Sequence, residues 1–371
     1  MKKVLFLYIT EVSGHHSAVN AIEDAIKLFD PQIETKCINA FKYTNPIAEK
    51  LVHNIYLRVI KRRPHIWGNM YDNPRVFEKT QRIKKFIHRM NFKKIDNLIE
   101  QFEPDVIVCS QAYPCGMVAD YKMTFGRTIP LFAVLTDFAG HSYWLYDGID
   151  YFVVACEEAK KRFVKDGIPE EKISVFGIPI HPKFAISLNK EEIAKKIGVD
   201  ASVPTILIMG GGHGLGPVEK IVQRLDAIEK DLQIIVITGI NKSLLQWLNK
   251  RKEVFRKKVL AFEYVDNIDE LMEIATVLIS KPGGLTSSEA LAKNLPLVIM
   301  NPIPGQEANN TKYLLEQKVA VSVHDERQVQ HVIEELLDDP EQLQRMIAQA
   351  QRIRKPESAI SIAKLILNSN D

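Results

Sequence analysis

The sequence predicts an α/β protein built from two doubly wound, Rossmann-like domains. Short apolar runs, typical of buried parallel strands, alternate with stretches whose apolar residues recur at helical spacing. The length of 371 residues exceeds that of one ordinary core. The strand–helix pattern also restarts at a glycine-rich turn, TILIMGGGHGLGPVEKIV (205–222). Together these three observations predict two domains, each with a mainly parallel sheet.

Eight apolar runs are the predicted strands, and the segments between them have helical periodicity. The strands are VLFLYI (4–9), DVIVCS (105–110), PLFAVLT (130–136), YFVVAC (151–156), TILIMG (205–210), LQIIVITG (232–239), TVLIS (276–280) and PLVIM (296–300).

A proline-punctuated stretch, VFGIPIHPKF (175–184), predicts a hinge near 177–186. We therefore place an N-terminal domain at 1–178 and a C-terminal domain at 179–355. We expect 356–371 to form a helix that can pack back on the N-terminal domain.

Composition and charge exclude several classes of protein. The formal net charge is only +3, which argues against a dedicated nucleic-acid binder. The four cysteines have no metal-binding spacing and lie in or beside apolar runs, as reduced thiols of a cytosolic protein do. The apolar run of MKKVLFLYIT is too short for a signal peptide and lacks a cleavage site. No run approaches the ~20 apolar residues of a membrane span.

Two glycine turns in the second domain are candidate anion sites. GGGHGLG (210–216) and SKPGGLTSSEA (280–290) each follow a strand and precede a helix, the second expected to open at Thr286. Glycines let the backbone approach a phosphate, and a helix start offers free N–H groups. A tight turn without a ligand is the alternative for either one alone. Two such turns in one domain favour a diphosphate ligand.

Polar side chains near these turns suit a sugar nucleotide. Glu289, on the first turns of a helix, can accept hydrogen bonds from both hydroxyls of a ribose, and a dipole-stabilising role is the alternative. Gln306 and Glu307 lie in NPIPGQEANN (301–310), which follows the next strand. Ligands of open α/β sheets bind at such strand ends, so these residues can form hydrogen bonds to a sugar. The alternative is a solvent-exposed loop, which would have a similar composition.

The segment 280–310 resembles the donor-site signature of a family of glycolipid glycosyltransferases. The family contains monogalactosyldiacylglycerol synthases and processive diacylglycerol glucosyltransferases, relatives of the lipid II-forming GlcNAc transferase. Further similar segments are VSGHHSAVNAIEDAI (12–26), YLRVIKRRPHIWGNMYD (56–72), LTDFAGHSYWLYDGIDYFVV (135–154) and FGIPIHPKF (176–184). The resemblance covers most of the chain and implies the GT-B fold, in which two Rossmann-like domains face a cleft.

The resemblance also implies donor-site roles for individual residues. It places the diphosphate against the two glycine turns and the ribose on a carboxylate. The sugar would contact the loop after the strand PLVIM, and the uracil would lie near the FEYVD segment. The residues so implied are Gly211, Gly212, His213, Gly283, Gly284, Thr286, Glu289, Gln306, Glu307, Tyr264 and Val265. Three positions depart from the family pattern: His16 beside His15, Gln111 in place of a histidine, and His213 within the glycine run.

His15 and Asp137 are the candidate catalytic residues. Glycosyl transfer with inversion needs a base for the acceptor hydroxyl, and a histidine with a pKa near 6.5 suits that task. The resemblance places a critical histidine at His15, although binding of a lipid phosphate is an alternative. Asp137 also ends a strand, and is either the rival base or the group that orients the base. The chain has no Asp-x-Asp pair, so we predict no metal or other cofactor.

A basic segment, 50–94, carries thirteen Lys and Arg against two acidic residues, a net charge of +11. Interleaved aromatics allow a nucleic-acid or a membrane ligand, and a solvated helix is the third alternative. A diacylglycerol acceptor stays in the bilayer, so an anionic membrane is favoured over nucleic acid. The candidate membrane and acceptor residues are Arg62, Arg63, Trp67, Tyr71, Lys84 and Lys85.

Together with these observations, the resemblance implies an inverting transferase that moves glucose or galactose from a UDP-sugar to the 3-hydroxyl of 1,2-diacylglycerol. We expect it to act in the cytoplasm, as a peripheral protein on the inner face of the cell membrane. The alternatives are UDP-GlcNAc-dependent transfer to another lipid and a UDP-sugar 2-epimerase of the same architecture. The sequence does not distinguish glucose from galactose.

Overall fold

The computed structural model describes residues 2–11, 13–46, 74–300, 302 and 305–369, and it describes side chains over those ranges except at 74–84. The chain divides into two compact units. The first comprises Met1–Pro182, Ile303–Asn309 and Glu357–Asp371, and the second Lys183–Pro302 and Asn310–Pro356. Within the described ranges each unit has a six-stranded parallel sheet, which confirms the predicted doubly wound α/β class.

The sheet of the first unit has the order β2-β1-β3-β4-β5-β6. Its strands are β1 (Lys3–Tyr8), β2 (Glu34–Asn39), β3 (Val106–Cys109), β4 (Leu131–Val134), β5 (Tyr151–Val154) and β6 (Ile173–Val175). All neighbours pair in parallel, with Phe6 of β1 opposite Val108 of β3. The helices between them are α1 (Gly14–Phe29), α2 (Ala40–Thr44), α3 (Pro74–Phe102), α4 (Ala112–Phe125) and α5 (Glu157–Lys165).

The sheet of the second unit has the order β12-β11-β10-β7-β8-β9, also parallel. Its strands are β7 (Thr205–Met209), β8 (Gln233–Ile237), β9 (Lys258–Phe262), β10 (Val277–Ser280), β11 (Leu297–Met300) and β12 (Ala320–Val323). The helices that follow Pro182 are α6 (Lys190–Ile197), α7 (Val218–Asp226), α8 (Lys242–Lys250), α9 (Ile268–Ile274), α10 (Gly284–Ala292), α11 (Gln306–Glu316), α12 (Gln328–Asp338), α13 (Pro340–Ile353) and α14 (Ser358–Asn368).

The last helix, α14, belongs to the first unit and contacts α1. Its residues Ile362 and Ile366 are fully buried in one apolar cluster with Ile22 of α1. Lys2 donates its ammonium hydrogens to the carbonyls of Ile366 and Leu367, each at 2.8 Å, where a helix C-terminus attracts a cation. The first unit is thus completed by the last segment of the chain.

Each of the eight predicted strands is present in the structure. Four further strands, β2, β6, β9 and β12, were not predicted. They are the four edge strands of the two sheets, and each contains residues that are only partly buried.

Candidate functional site

The turn after β7 requires glycine at defined positions. Gly211 and Gly214 have φ angles of 70° and 56°, in the left-handed region. The turn closes through hydrogen bonds from the N–H of Gly214 to the carbonyl of Gly211 and from that of Leu215 to Gly210, both 2.9 Å. A Cβ on Gly214 would lie 2.2 Å from the carbonyl oxygen of Thr238. Gly214 is therefore required because the backbone packs against the next strand end.

The segment after β8 holds this turn in place through two hydrogen bonds. Asn241 donates from Nδ2 to the Gly214 carbonyl at 3.0 Å, and the N–H of Ile240 donates to the Gly212 carbonyl at 3.0 Å. Gly211 and Gly212 remain exposed, and His213 is half-buried. The turn is thus fixed on one side and accessible on the other.

Two glycine substitutions separate steric from conformational cost. We expect Gly214→Ala to destabilise the protein by about 3 kcal/mol or more, because the new methyl group collides with backbone and φ is positive. Gly211→Ala has a similar φ, but its Cβ would meet no described atom within 4 Å, so a loss of about 1–2 kcal/mol is expected. Urea unfolding measures both. Equal losses would contradict this packing.

The second glycine turn leads into α10. The helix begins at Gly284, so the predicted start at Thr286 was two residues late. Gly283 precedes it in an extended conformation, with φ −65° and ψ 137°, and has no side chain to cap the first N–H groups. A Cβ on Gly283 would meet no described atom within 4 Å. Glycine at the cap therefore leaves open space in front of the helix N-terminus, where an anion can approach.

Asn310 on α11 holds this turn in place. Its side chain is almost fully buried, and Nδ2 donates to the carbonyl of Pro282 at 3.1 Å. Asn310, the last residue of the NPIPGQEANN segment, thus has a positioning role.

Glu289 lies one turn after Thr286 on α10 and is partly buried. Desolvation raises the pKa of its carboxyl to about 8, the charge of Lys183 opposes this, and the charge of Asp269 adds to it. Lys183 and Asp269 form an ion pair of 3.0 Å beside it. No sequence motif marks this pair, so sequence reasoning missed it. At neutral pH the carboxyl is therefore largely protonated in the unliganded protein.

The other predicted donor residues lie in loops or at helix starts. Tyr264 is 69% exposed, and with the half-buried Val265 it lies between β9 and α9. Gln306 and Glu307 open α11 and are partly buried. These positions agree with strand-end loops, but contact with a ligand remains a prediction.

In the first unit, His15 on α1 contacts the ends of two other strands. Its Nδ1 lies 2.9 Å from the carbonyl oxygen of Ser110 and 2.8 Å from Oγ1 of Thr136. Because a carbonyl can only accept, Nδ1 carries the hydrogen, and Nε2 keeps its lone pair. Burial lowers the pKa of His15, while the charge of Asp137 and the Ser110 hydrogen bond oppose that change. This arrangement favours a neutral imidazole able to accept a proton at Nε2.

Asp137 follows β4 and contacts a second predicted site residue. Its Oδ2 accepts a hydrogen bond of 3.0 Å from Nε2 of Gln306. The residues assigned to proton transfer and to sugar recognition therefore meet within the first unit. Sequence analysis did not predict this contact, because 169 residues separate the two positions.

His16 has a different environment from its neighbour. Its Nδ1 lies 2.8 Å from the Glu11 carbonyl, and its ring stacks on Tyr8 at a centroid distance of 4.3 Å. The Tyr8 hydroxyl in turn donates to Glu11 at 2.7 Å. His16 thus stabilises the loop before α1, which leaves His15 as the candidate base of the pair.

Two buried oxygens near His15 have no hydrogen-bond partner among the described residues. They are Oγ of Ser110, which is fully buried, and Oε1 of Gln111. An unsatisfied buried polar atom costs about 1–3 kcal/mol, so few are found in native proteins. Sequence reasoning noted Gln111 only as a departure from the family pattern.

The predicted basic segment is described in part. Arg62, Arg63, Trp67 and Tyr71 lie outside the described residues, as does the side chain of Lys84. The described portion exposes Lys85, Arg89 and Lys93 on α3.

Exposed apolar side chains lie beside these cations. On α3, Phe86 is 64% and Met90 69% exposed, and on α4 Met123 is 63% and Phe125 55% exposed. Phe125 lies 5.6 Å from Phe92 between ring centroids, which places the end of α4 against α3. We call this surface the α3–α4 face; its residues are Lys85, Phe86, Arg89, Met90, Lys93, Met123 and Phe125. Exposed apolar groups of this size beside cations are typical of interaction surfaces.

Two features are absent from the described residues. Among them, no helix is long and apolar enough to cross a membrane. Nor does any cluster of three or more His, Cys, Asp and Glu side chains in the same ranges have the arrangement of a metal site.

Comparison with known proteins assigns both units. Residues 15–180 match the family model for monogalactosyldiacylglycerol (MGDG) synthase. Residues 205–365 match that for the glycosyltransferase family 28 C-terminal domain. A processive diacylglycerol beta-glucosyltransferase of Bacillus thuringiensis (strain Al Hakam) is 30% identical over 370 residues, which cover 99% of this chain and 94% of the relative.

Solved structures of low sequence identity share the fold. MurG of Acinetobacter baumannii superposes with a TM-score of 0.64 at 14% identity, over 99% of both chains. HepE of Anabaena, in complex with UDP-glucose, gives a TM-score of 0.58 at 13% identity, over 100% of this chain and 99% of that one. The chain therefore belongs to the GT-B family of monogalactosyldiacylglycerol synthases and processive diacylglycerol glucosyltransferases, and is a UDP-sugar-dependent glycosyltransferase.

Proposed function

We propose that the protein transfers a hexose, glucose or galactose, from a UDP-sugar to the 3-hydroxyl of 1,2-diacylglycerol, with inversion, giving a β-glycoside. The observation that carries this proposal is the environment of His15, whose Nδ1 is held by the Ser110 carbonyl so that Nε2 can accept a proton. The glycine turns and Glu289 supply the matching donor chemistry. The name of the Bacillus thuringiensis relative supports the lipid acceptor.

The proposed step is a single displacement. The acceptor hydroxyl loses its proton to Nε2 of His15, and its oxygen forms a bond to C1 of the hexose. The bond from C1 to the diphosphate oxygen breaks, and its electron pair leaves with UDP. Attack from the face opposite the leaving group inverts the configuration at C1. Asp137 would stabilise the imidazolium, since its negative charge favours the protonated ring.

The charge that develops on UDP is the second requirement of this step. We propose that backbone N–H groups of the two glycine turns and the N-terminus of α10 meet it, with help from Lys281. Glu289 would hold the ribose hydroxyls, and Gln306 and Glu307 the sugar. The proposal includes no metal, so activity should persist in EDTA.

One assay tests donor, acceptor and metal independence together. The protein is incubated with diacylglycerol in anionic liposomes and with UDP-glucose, UDP-galactose or UDP-GlcNAc, each with and without EDTA, and UDP release is measured. Lipid-dependent release from UDP-glucose or UDP-galactose in EDTA supports the proposal. UDP release from UDP-GlcNAc alone, or UDP release that does not depend on diacylglycerol, would contradict the proposal. Epimerised donor without transfer would indicate a UDP-sugar 2-epimerase.

We also propose that the α3–α4 face binds an anionic membrane, and that the protein works peripherally at the inner face of the cell membrane. Lys85 and Arg89 can meet lipid headgroups while Phe86 and Met90 enter the interface. A basic residue near an anionic surface contributes about 1 kcal/mol, so reversing both charges should weaken binding at least about tenfold.

Liposome cosedimentation of the double variant Lys85→Glu/Arg89→Glu measures this effect. The matched control is Lys250→Glu/Arg251→Glu, at the end of α8 in the second unit, where both residues are exposed. Binding of the control should equal that of the unchanged protein, and both should weaken with salt. Unchanged binding of the α3 variant, or RNA binding without liposome binding, would contradict the membrane assignment.

A further inference from the structure

Ser110 and Gln111 lie where neighbouring strands of the first sheet end. β1, β3 and β4 are adjacent, and the segments after them carry His15, Ser110 and Thr136. His15 Nδ1 joins the other two through contacts of 2.9 Å and 2.8 Å. Ligands of open parallel sheets bind at this edge. The two residues therefore adjoin the group to which we assign proton transfer.

The side chains of both residues have a buried oxygen that no described residue satisfies. The Ser110 carbonyl orients His15, but its hydroxyl is unused and fully buried. Gln111 occupies the N-cap position of α4, yet its side chain makes no capping hydrogen bond. Neither oxygen contributes to the described fold, so a ligand contact explains why polar residues stand here.

The chemistry of the two oxygens restricts that ligand. An amide oxygen only accepts hydrogen bonds, whereas a serine hydroxyl both donates and accepts. An ionised phosphate or carboxylate offers only acceptors and cannot donate to the amide oxygen of Gln111. A hydroxyl group can donate to Gln111 and accept from Ser110 at the same time. A neutral, hydroxyl-bearing group therefore fits both oxygens.

We propose that Ser110 and Gln111 are specificity-determining residues that bind an acceptor hydroxyl other than the one that reacts. The proposal rests on the proposed function. 1,2-Diacylglycerol has a single hydroxyl, which reacts, whereas a hexosyl-diacylglycerol has several. With the latter, one sugar hydroxyl bonds to C1 of the donor hexose and gives its proton to His15, while UDP leaves with the electron pair. Another is held by Ser110 and Gln111, which favours addition of a second sugar.

The test compares two acceptors across matched variants. Rates are measured with diacylglycerol and with β-hexosyl-diacylglycerol in liposomes, at saturating UDP-hexose. Gln111→Met keeps the side-chain length but removes the amide oxygen, and Ser110→Ala removes one hydroxyl. We expect the ratio of the hexosyl-diacylglycerol rate to the diacylglycerol rate to fall about tenfold in each variant. Gln101→Ala, exposed on α3, should leave the ratio unchanged.

The outcomes separate this proposal from the function on which it rests. An unchanged ratio, or an equal loss of both rates, would show a structural role and overturn the proposal. Unmodified protein that uses diacylglycerol but never hexosyl-diacylglycerol would also overturn it, with the proposed function intact. Transfer to neither acceptor would overturn the proposed function itself. If Gln111→Met fails to fold in thermal unfolding, Ser110→Ala decides.

Discussion

Replacing His15 with alanine is expected to lower kcat by about 10²–10⁴-fold, the usual contribution of a general base. UDP binding should be retained, because His15 contacts Ser110 and Thr136 in the first unit, whereas the glycine turns belong to the second unit. Single-turnover rates and UDP calorimetry measure the two effects. His16→Ala is the matched control and should keep most of the activity. The described contacts of the His16 ring are stacking on Tyr8 and a hydrogen bond with the Glu11 carbonyl, in the loop before α1.

The pH profile of the transfer rate gives a second test of His15. Burial lowers its pKa below the ordinary value of 6.5, so the imidazole is neutral at pH 7. Titration of His15 should therefore leave the transfer rate unchanged between pH 7 and 8, and should lower it only below pH 6.5. Equal activity of the His15→Ala and His16→Ala variants, or a loss of activity between pH 8 and 7 that His15→Ala abolishes, would contradict the role.

Replacing Glu289 with glutamine is expected to remove the pH dependence of UDP binding and weaken it at high pH. The pKa of about 8 means that the unliganded carboxyl is largely protonated at pH 7. An ionised carboxylate accepts both ribose hydroxyls, so binding should release a proton and tighten as pH rises from 6.5 to 8.5. Calorimetry in buffers of different ionisation enthalpy measures the release. Identical proton release in both proteins would contradict ribose binding by Glu289.

The same substitution should stabilise the unliganded fold at high pH. Because the folded pKa of Glu289, about 8, exceeds the unfolded value of 4.5, the native state holds the proton more tightly. The unchanged protein therefore loses stability as pH rises from 4.5 through 8, whereas Glu289→Gln does not. We expect the variant to be more stable by about 2–4 kcal/mol at pH 8.5 and little changed at pH 5. Urea unfolding at the two pH values checks this.

The strands that sequence analysis found and missed differ in their position in the sheets. The eight predicted strands are central, covered on both faces, and so read as continuous apolar runs. The missed strands are the four edges; β2 (ETKCIN) and β9 (KVLAF) mix charged and apolar residues because part of each is exposed. Edge strands with such compositions resemble loops until their pairing partners are known.

The candidate site likewise divides into residues that could be predicted from the sequence and contacts that could not. Glycine turns, a carboxylate on α10 and a histidine after β1 have local sequence signatures, and the structure places them at strand ends as expected. The groups that contact these residues have no such sequence signature. The Ser110 carbonyl that orients His15 is a backbone group, and the Lys183–Asp269 pair beside Glu289 joins residues far apart in sequence. The contact between Gln306 and Asp137 likewise depends on the folded chain.

The most direct measurement is the structure of the lipid formed from diacylglycerol and a UDP-hexose. Mass spectrometry identifies the added sugar, and the coupling constant of the anomeric proton in the NMR spectrum gives the configuration at C1. We expect a β-hexosyl-diacylglycerol, formed in the presence of EDTA and absent with His15→Ala. An α-linked product, or consumption of the donor without any glycolipid, would contradict inverting transfer to diacylglycerol by this site.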